Sequence, residues 1–196
     1  KALKPGDLFN VIEFDSYTTA LFPHSRMANA SNVGSALNFV QQLQAEGGTE
    51  MRPALKLALS MPPKETHLRQ IVFITDGSVG YEDEMFSISE QQLGAARLFT
   101  VGIGSAPNSH FMRKAARASR GTFTHIGDID EVQQKTDLLL QKLEAPALVN
   151  IDLEIDGVDI EAFPEPVPDL YLGDSLAILV RGKKIARDMN LKLSKK

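Results

Sequence analysis

The spacing of apolar and polar residues changes several times along this chain, and each spacing predicts a type of element. Residues 71–75 are all apolar or β-branched, with no polar residue among them. This pattern is typical of a strand buried on both faces, as in the centre of a parallel sheet. A second strand of the buried type is predicted over 97–103, where mostly apolar residues follow Arg97. We therefore expect a parallel sheet in the first part of the chain.

Helical spacing of apolar residues alternates with these strands. Helices are predicted from a cap at Ser31 or Asn32 to a stop at Gly47–Gly48, over 51–59, over 82–93, from Asn108 to Gly121, and from Asp128 or Asp130 past Leu143. Further strands are predicted over 8–14, 18–22 and 122–126. The first helix is expected to cover a face of the sheet. The alternation predicts an α/β fold over 1–145, with a three-layer, doubly wound and mostly parallel sheet.

The pattern changes at Pro146, where a second segment of 146–196 begins. Residues 149–155 alternate with a period of two, and Asp156-Gly157 is a hairpin signal before a return strand over 158–163. Two more strands are predicted, over 176–180 and 185–193. About fifty residues of β structure bury little apolar surface alone, so we expect this segment to pack on the first domain or on a part outside this chain.

Composition excludes several classes of function. The 196 residues carry a formal net charge of -4 and no cysteine. Scattered basic residues predict no nucleic-acid partner, and the missing thiols exclude disulfides and thiolate metal sites. No stretch reaches the roughly 20 apolar residues of a membrane span. The first residues lack an apolar signal core, so any targeting segment is expected outside this chain.

Common nucleotide and hydrolase motifs are also missing. The pair Gly102 and Gly104 follows a strand, but Pro107 stands where a dinucleotide-binding loop needs its third glycine. No P-loop or nucleophile elbow is found. The histidines show no metal-ligand spacing and are expected at the surface or in loops: His24, His67, His110 and His125.

Two oxygen donors remain as candidates for chemistry. Asp76 directly follows the strand over 71–75, at the end of a parallel sheet where ligands bind. Thr49 follows a double glycine. A hydroxyl and a carboxylate suit Mg²⁺ or a similar ion. The alternative is that Asp76 only stabilises an Asp-Gly turn. Asp128 and Asp130 resemble the paired aspartates of a phosphoryl transferase, but helix capping explains them more simply.

Three runs in a fixed order carry a resemblance to a known family. The runs GGTEM at 47–51, IVFITDG at 71–77 and LFTVGIG at 98–104 resemble a von Willebrand factor type A domain. More narrowly, PGDLFNVIEF at 5–14 and RLFTVGIG at 97–104 are similar to bacterial relatives of the inter-alpha-trypsin inhibitor heavy chain. In those relatives a β segment follows the A domain. The resemblance covers nearly the whole chain.

The resemblance implies a metal-ion-dependent adhesion site. By position, Thr49 matches the family's threonine ligand and Asp76 its aspartate ligand. The family's Asp-x-Ser-x-Ser set is found nowhere in this chain, and in the family it precedes the stretch that matches Leu3. We therefore expect a piece that starts after the first strand and helix. A divalent cation, Mg²⁺ by preference, is expected in the intact parent and only weakly or not at all here.

The missing strand has a physical consequence. In the family it lies between the strands that match 8–14 and 71–75, so its absence leaves two apolar edges with unpaired backbone groups. We expect the gap to be closed by direct pairing of those strands, by strand exchange with a second copy in a homo-oligomer, or by an upstream fragment.

The resemblance implies a non-catalytic module for protein binding or adhesion. The expected partner is a protein whose acidic side chain completes the cation site. The expected setting is a bacterial cell-envelope or secreted protein, at an extracellular, periplasmic or cell-surface location. The alternatives are a metal-assisted hydrolase or phosphoryl-transfer enzyme that uses Asp76 or the pair Asp128 and Asp130, and a scaffold whose ion site has decayed.

Overall fold

The computed structural model describes residues 3–44, 47–77, 81–105, 109–144, 146–155, 158–171, 175–183 and 191–195. In the first part of the chain the elements are β1 (Leu8–Phe9), β2 (Ile12–Phe14), β3 (Thr18–Ala20), β4 (Arg26–Met27), α1 (Ala30–Gln41), α2 (Met51–Ser60), β5 (Gln70–Thr75), α3 (Glu82–Gln92), β6 (Arg97–Ile103), α4 (Ser109–Ala118), β7 (Phe123–Ile126) and α5 (Val132–Glu144). The C-terminal strands are β8 (Pro146–Leu148), β9 (Ile151–Ile155), β10 (Ile160–Phe163), β11 (Leu170–Tyr171), β12 (Leu179–Gly182) and β13 (Leu191–Lys195).

A parallel sheet of order β5-β6-β7 forms the centre of the fold. Its middle strand β6 is buried from Arg97 to Gly102, as its sequence predicts. Leu98 faces a core made with α2, α3 and α4, while Phe99 faces a second core with Leu139 of α5. Neighbouring residues of a strand point to opposite faces, so helices cover this sheet on both sides. The predicted three-layer α/β fold is therefore observed.

Strand β5 corrects the prediction of a strand buried on both faces. Ile71 and Phe73 pack against the core of α2, α3 and α4. Val72 and Ile74 point to the other face and remain 38% and 52% exposed. The reason is that the core on that face includes Phe99 and Val101 of β6 and no residue of β5, so no described helix covers β5 there. Strand β5 also pairs only with β6, so among the described residues it is an edge strand.

The N-terminal strand predicted over 8–14 is divided at Asn10. The Asn10 side chain bonds the N–H and C=O of Phe22, at 3.1 and 2.8 Å, and its Oδ1 accepts the N–H of Val11. These bonds replace strand pairing at that point, so β1 pairs with β4 and β2 with β3.

Strand β2 lies beside β5 without pairing with it. The rings of Phe14 and Phe73 stack with centroids 4.9 Å apart, but no described ladder joins the two strands. Direct pairing, one of the three expected ways to close the gap, is therefore wrong for this structure. Closure by a second copy or by an upstream fragment stays a prediction.

Helix α1 begins and ends earlier than predicted. Its cap is Asn29, whose Oδ1 accepts the N–H of Asn32 at 2.9 Å. The helix ends at Gln41 rather than at the double glycine. Leu37 and Val40 are 60% and 50% exposed, so α1 does not cover a sheet face among the described residues.

The C-terminal segment packs on the first part of the chain through a buried ion pair between Arg97 and Asp169. The Tyr171 ring contacts Phe99 edge to face, at 5.7 Å between centroids. The Tyr171 hydroxyl donates to the carbonyl of Arg120 at 3.1 Å. Tyr171 thus belongs to the core of the parallel sheet, as expected for a segment that packs on the first domain. A separate small cluster of Ile151, Leu153 and Val167 is buried within the segment itself.

The pairing inside this segment differs from the predicted hairpin. Strand β9 pairs with β13, and β10 pairs with β12. Among the described residues, a single antiparallel β-bridge between Ile155 and Val158 is found where the hairpin was predicted. The Asp156-Gly157 signal and the Asn108 cap lie outside the described residues. No helix of the described residues is long and apolar enough to cross a membrane.

Candidate functional site at the carboxyl edge of the sheet

The three parallel strands end at one edge of the sheet, and a loop from before β5 reaches the same edge. This loop, residues 47–50, is held by the turn between β2 and β3. The Gly48 N–H donates to Ser16 Oγ at 2.9 Å, and the Glu50 N–H donates to the carbonyl of Asp15 at 2.8 Å. Gly47 has φ 91°, and a Cβ there would lie 2.8 Å from Ser16 Oγ. The positive φ favours glycine at this position, and a larger residue would also displace the Ser16 hydroxyl that holds the loop.

Thr49 lies against the turn that follows β5. A Cβ built at Gly77 would be 3.0 Å from Thr49 Oγ1 and 3.3 Å from its Cγ2. Gly77 is the residue after Asp76, and its N–H donates to Thr75 Oγ1 at 3.1 Å. The structure thus places the Thr49 hydroxyl beside the backbone that carries Asp76, with both residues exposed. The two candidate ligands share one corner of the carboxyl edge, which we call the Thr49–Asp76 corner.

The donors at this corner suit a hard divalent cation, but two are too few. Mg²⁺ takes about six oxygen ligands in a near-octahedral arrangement. Across the described residues, no group of three or more His, Cys, Asp or Glu side chains is arranged to hold a metal. The donor atoms at the corner are therefore of the type that a hard cation prefers, but there are too few of them to complete its coordination.

The pair Asp128 and Asp130 does not join this corner. Asp128 follows β7, and β6 separates it from β5. Two strand spacings place the ends of β5 and β7 about 10 Å apart, and no described group of three or more His, Cys, Asp or Glu side chains brings the two carboxylates into one metal site. Asp128 Oδ1 accepts the N–H of Asp130 at 3.2 Å and caps a 3-10 turn over Ile129–Glu131. The capping interpretation of this pair is therefore the one that the structure supports.

A further carboxylate near α5 is held by local contacts. Glu131 accepts a bond from Lys135 Nζ at 2.9 Å and one from the Gly127 N–H at 3.0 Å. Both bonds lower the pKa of the Glu131 carboxyl below its ordinary value, and the bond from Lys135 has the larger effect. This explains how the chain enters α5, and it adds no ligand to the Thr49–Asp76 corner.

The four histidines are all exposed, as expected. His125 Nε2 lies 2.9 Å from the carbonyl of Gly104, and His67 Nε2 lies 3.2 Å from that of Gly6. The sequence did not indicate the role of Asp15 and Ser16, which hold the loop of Thr49. The double glycine was the available signal, since such a loop needs a partner to fix it.

Comparison with known proteins gives a family and relatives. A family model for the von Willebrand factor type A domain matches residues 1–125. The von Willebrand factor A domain-containing protein 5B1 of Mus musculus is 30% identical over 186 residues, covering 94% of this chain and 15% of that protein. A von Willebrand factor A domain-containing protein of Dictyostelium discoideum is 27% identical over 189 residues, covering 94% of this chain and 23% of that protein. This chain thus spans less than a quarter of either relative.

Solved structures agree on the fold. A von Willebrand factor type A protein from Catenulispora acidiphila superposes with a TM-score of 0.71 at 20% identity, over 87% of this chain and 43% of that one. Proximal thread matrix protein 1 from the mussel byssus, described with a zinc-occupied MIDAS motif, superposes with a TM-score of 0.54 at 16% identity, over 68% of this chain and 34% of that one.

The narrower likeness to bacterial relatives of the inter-alpha-trypsin inhibitor heavy chain stays a prediction, since both curated relatives named above are eukaryotic. The broader prediction is confirmed by the family model and by the fold. This chain belongs to the von Willebrand factor type A domain family.

Proposed function

We propose that this chain is a non-catalytic protein-binding module, and that the Thr49–Asp76 corner supplies two ligands of a divalent-cation site. The observation that carries the proposal is the contact of the Thr49 side chain with Gly77, directly after Asp76. Family membership supports it. A neighbour in fold, the mussel byssus protein, is described with a zinc-occupied MIDAS motif, which is consistent with a cation at this edge.

The chemistry of the corner favours an acidic protein ligand. A cation held by one hydroxyl and one carboxylate keeps open coordination positions and a positive charge. A carboxylate from a partner would bond directly to the ion and gain electrostatic attraction. Further ligands must come from residues other than these two, so the cation affinity of the chain by itself is expected to be weak.

Calorimetric titration with MgCl₂ and MnCl₂ tests the metal part of this proposal. The expected result is weak binding that Asp76→Ala abolishes and that Thr49→Val reduces. Glu65→Ala is the matched control, because it removes one exposed carboxylate from the loop before β5, at the opposite edge of the sheet. Tight magnesium binding, or an equal effect of the Glu65 substitution, would contradict the assignment of these ligands.

Selection of displayed peptides on the immobilised chain tests the binding part. In the presence of Mg²⁺ the selected peptides are expected to be rich in Asp and Glu, and EDTA is expected to release them. Asp76→Ala should select none of these peptides. Peptides that bind equally in EDTA and to the Asp76 variant would argue against a cation-dependent ligand site.

The absence of catalysis is also part of the proposal. A metal-assisted hydrolase needs a base or nucleophile beside its ion, and Asp128 is already used in a helix cap. We expect no turnover of p-nitrophenyl phosphate in Mg²⁺. Turnover that Asp76→Ala removes would favour the enzyme. We further propose an extracellular, periplasmic or cell-surface location, which fractionation of the native protein tests.

A further inference from the structure

Helix α4 carries a basic surface on the side of the molecule formed by α3 and α4. Its apolar side, made of Phe111, Met112, Ala115 and Ala116, is buried in the core. Its other side exposes basic residues spaced by three, four and seven positions, which places them on one face of the helix: His110, Arg113, Lys114 and Arg117. We call Arg113, Lys114 and Arg117 the α4 basic stripe.

Aromatic rings hold two members of this stripe in place, while their charges stay unpaired. The Arg113 guanidinium carbon lies 5.3 Å from the centre of the Phe123 ring, and Lys114 Nζ lies 3.9 Å from that of Phe86. No member of the stripe has an acidic partner within 4 Å among the described residues. These charges are therefore oriented in advance and free to meet a ligand.

The stripe forms one wall of a groove of about 570 Å³, and the segment Pro164–Pro166 forms the opposite wall. Glu165 is the acidic residue of this lining, against three permanent positive charges. The whole chain has a net charge of -4, so the groove differs in sign from the molecule that carries it. Such a local field attracts an anionic ligand.

We propose that this groove binds an extended acidic segment of a partner protein. Arg117 lies about one helical turn from Arg113 and Lys114, roughly 5 Å along the axis. Carboxylates at alternate positions of an extended peptide are spaced by about 7 Å on one side, which long Lys and Arg side chains can match. Pro164 and Pro166 have no N–H, so recognition depends on side-chain charges rather than on added strand pairing.

The geometry argues against other anionic partners. A basic helix that enters a membrane surface must expose apolar residues beside its charges, and those of α4 are buried. The second wall at Pro164–Pro166 makes the site concave, which suits a single extended chain better than a bilayer or a nucleic-acid duplex. This groove is separate from the Thr49–Asp76 corner and needs no metal.

Fluorescence anisotropy with a labelled peptide tests the proposal. The probe is a fluorescein-labelled peptide of about twelve residues in which Glu alternates with Thr, and a Gln-Thr peptide of equal length is its control. We expect saturable binding of the Glu-Thr peptide in EDTA at physiological salt. The triple variant Arg113→Gln/Lys114→Gln/Arg117→Gln should weaken it by about tenfold or more.

A matched triple variant separates the groove from total charge. Arg26→Gln/Lys56→Gln/Lys64→Gln changes the net charge equally at exposed positions in β4, in α2 and in the loop after α2. It should leave the affinity within about twofold of the starting chain. An equal loss in this control, or no saturable binding at physiological salt, would overturn the proposal.

Amide chemical-shift mapping on the unsubstituted chain gives an independent readout that does not depend on folding of the variants. The Glu-Thr peptide should shift the amides of α4 and of Glu165, and few others. Shifts centred elsewhere would refute the groove. Phosphatidylserine vesicles and a DNA duplex serve as competitors, and displacement of the peptide by either at lower charge concentration would assign the stripe to that partner instead.

Discussion

Substitution of Asp169 tests how the C-terminal segment is attached to the sheet. The Arg97 and Asp169 side chains are 3% and 0% exposed, and they bond to each other in two places. Asp169 Oδ1 also accepts the N–H of Asn150 at 3.0 Å, while Arg97 Nη2 donates to Asn150 Oδ1 at 2.7 Å. Asp169→Ala therefore leaves a buried guanidinium without its counter-charge and removes the acceptor of the Asn150 N–H.

The cost of this change follows from burial. Breaking a buried ion pair by removal of one partner costs about 3–5 kcal/mol, because the remaining charge stays desolvated. A domain of this size has a free energy of unfolding of about 5–15 kcal/mol, so the loss is a large fraction. The assay is urea denaturation followed by circular dichroism, with the free energy of unfolding obtained by linear extrapolation.

Glu161→Ala is the matched control in the same segment. Glu161 pairs with Arg181, but the two side chains are 59% and 74% exposed, so the expected loss is only about 0–1 kcal/mol. The double variant Arg97→Met/Asp169→Leu should recover much of the stability, because it leaves no buried charge. A loss for Asp169→Ala no larger than that of the control would refute the claim that this ion pair joins the segment to the sheet.

Three further predictions concern packing, pH and the open edge. Gly121→Ala places a Cβ 2.1 Å from the carbonyl oxygen of Leu98, so urea denaturation should show a loss of about 3 kcal/mol or more. Because the pKa of Glu131 is lowered, its bond to Lys135 stabilises the fold at pH values above the ordinary pKa of glutamate. This contribution is lost as the pH falls through the lowered pKa. Glu131→Gln should therefore make thermal stability less dependent on pH in the acid range. Ile74→Lys on the open edge should reduce any self-association seen by analytical ultracentrifugation, and an unchanged oligomer would count against strand exchange there.

The sequence predicted local elements well where burial and period agree. The run over 98–103 is apolar apart from Thr100 because both faces of β6 are covered, and the structure buries it as far as Gly102. The run over 71–75 is equally apolar, yet one face of β5 is uncovered and leaves Val72 and Ile74 exposed. The spacing of apolar residues indicates which faces of a strand are suited to burial. It does not show whether the helix or strand that would cover them is present in the chain.

Contacts distant in sequence were the least predictable part. The side chain of Asn10 divides a predicted strand by forming hydrogen bonds with the backbone of Phe22. The secondary-structure propensities of the residues around Asn10 and Phe22 do not indicate these bonds. At the site, strand ends and a double glycine predicted Thr49 and Asp76 as candidates one by one. Their common corner depends on Asp15 and Ser16, which hold the loop from another hairpin.

The α4 basic stripe shows the opposite case. Its members are close in sequence and at helical spacing, so the sequence contained the signal. The net charge of -4 did not indicate this basic surface, because it sums the charges on all faces of the molecule. Its function as a groove also depends on Pro164–Pro166, which is about fifty residues away and could be placed only by the fold.

Paramagnetic line broadening by Mn²⁺ in the amide spectrum of this chain tests directly whether the Thr49–Asp76 corner binds a divalent cation. Mn²⁺ is suitable because it accepts the same oxygen ligands as Mg²⁺. We predict that the amides of Thr49 and Gly77 broaden first, and that Asp76→Asn removes the effect while Glu65→Gln, at the opposite edge of the sheet, does not. Broadening centred elsewhere, or unchanged in the Asp76 variant, would contradict a cation site at the Thr49–Asp76 corner.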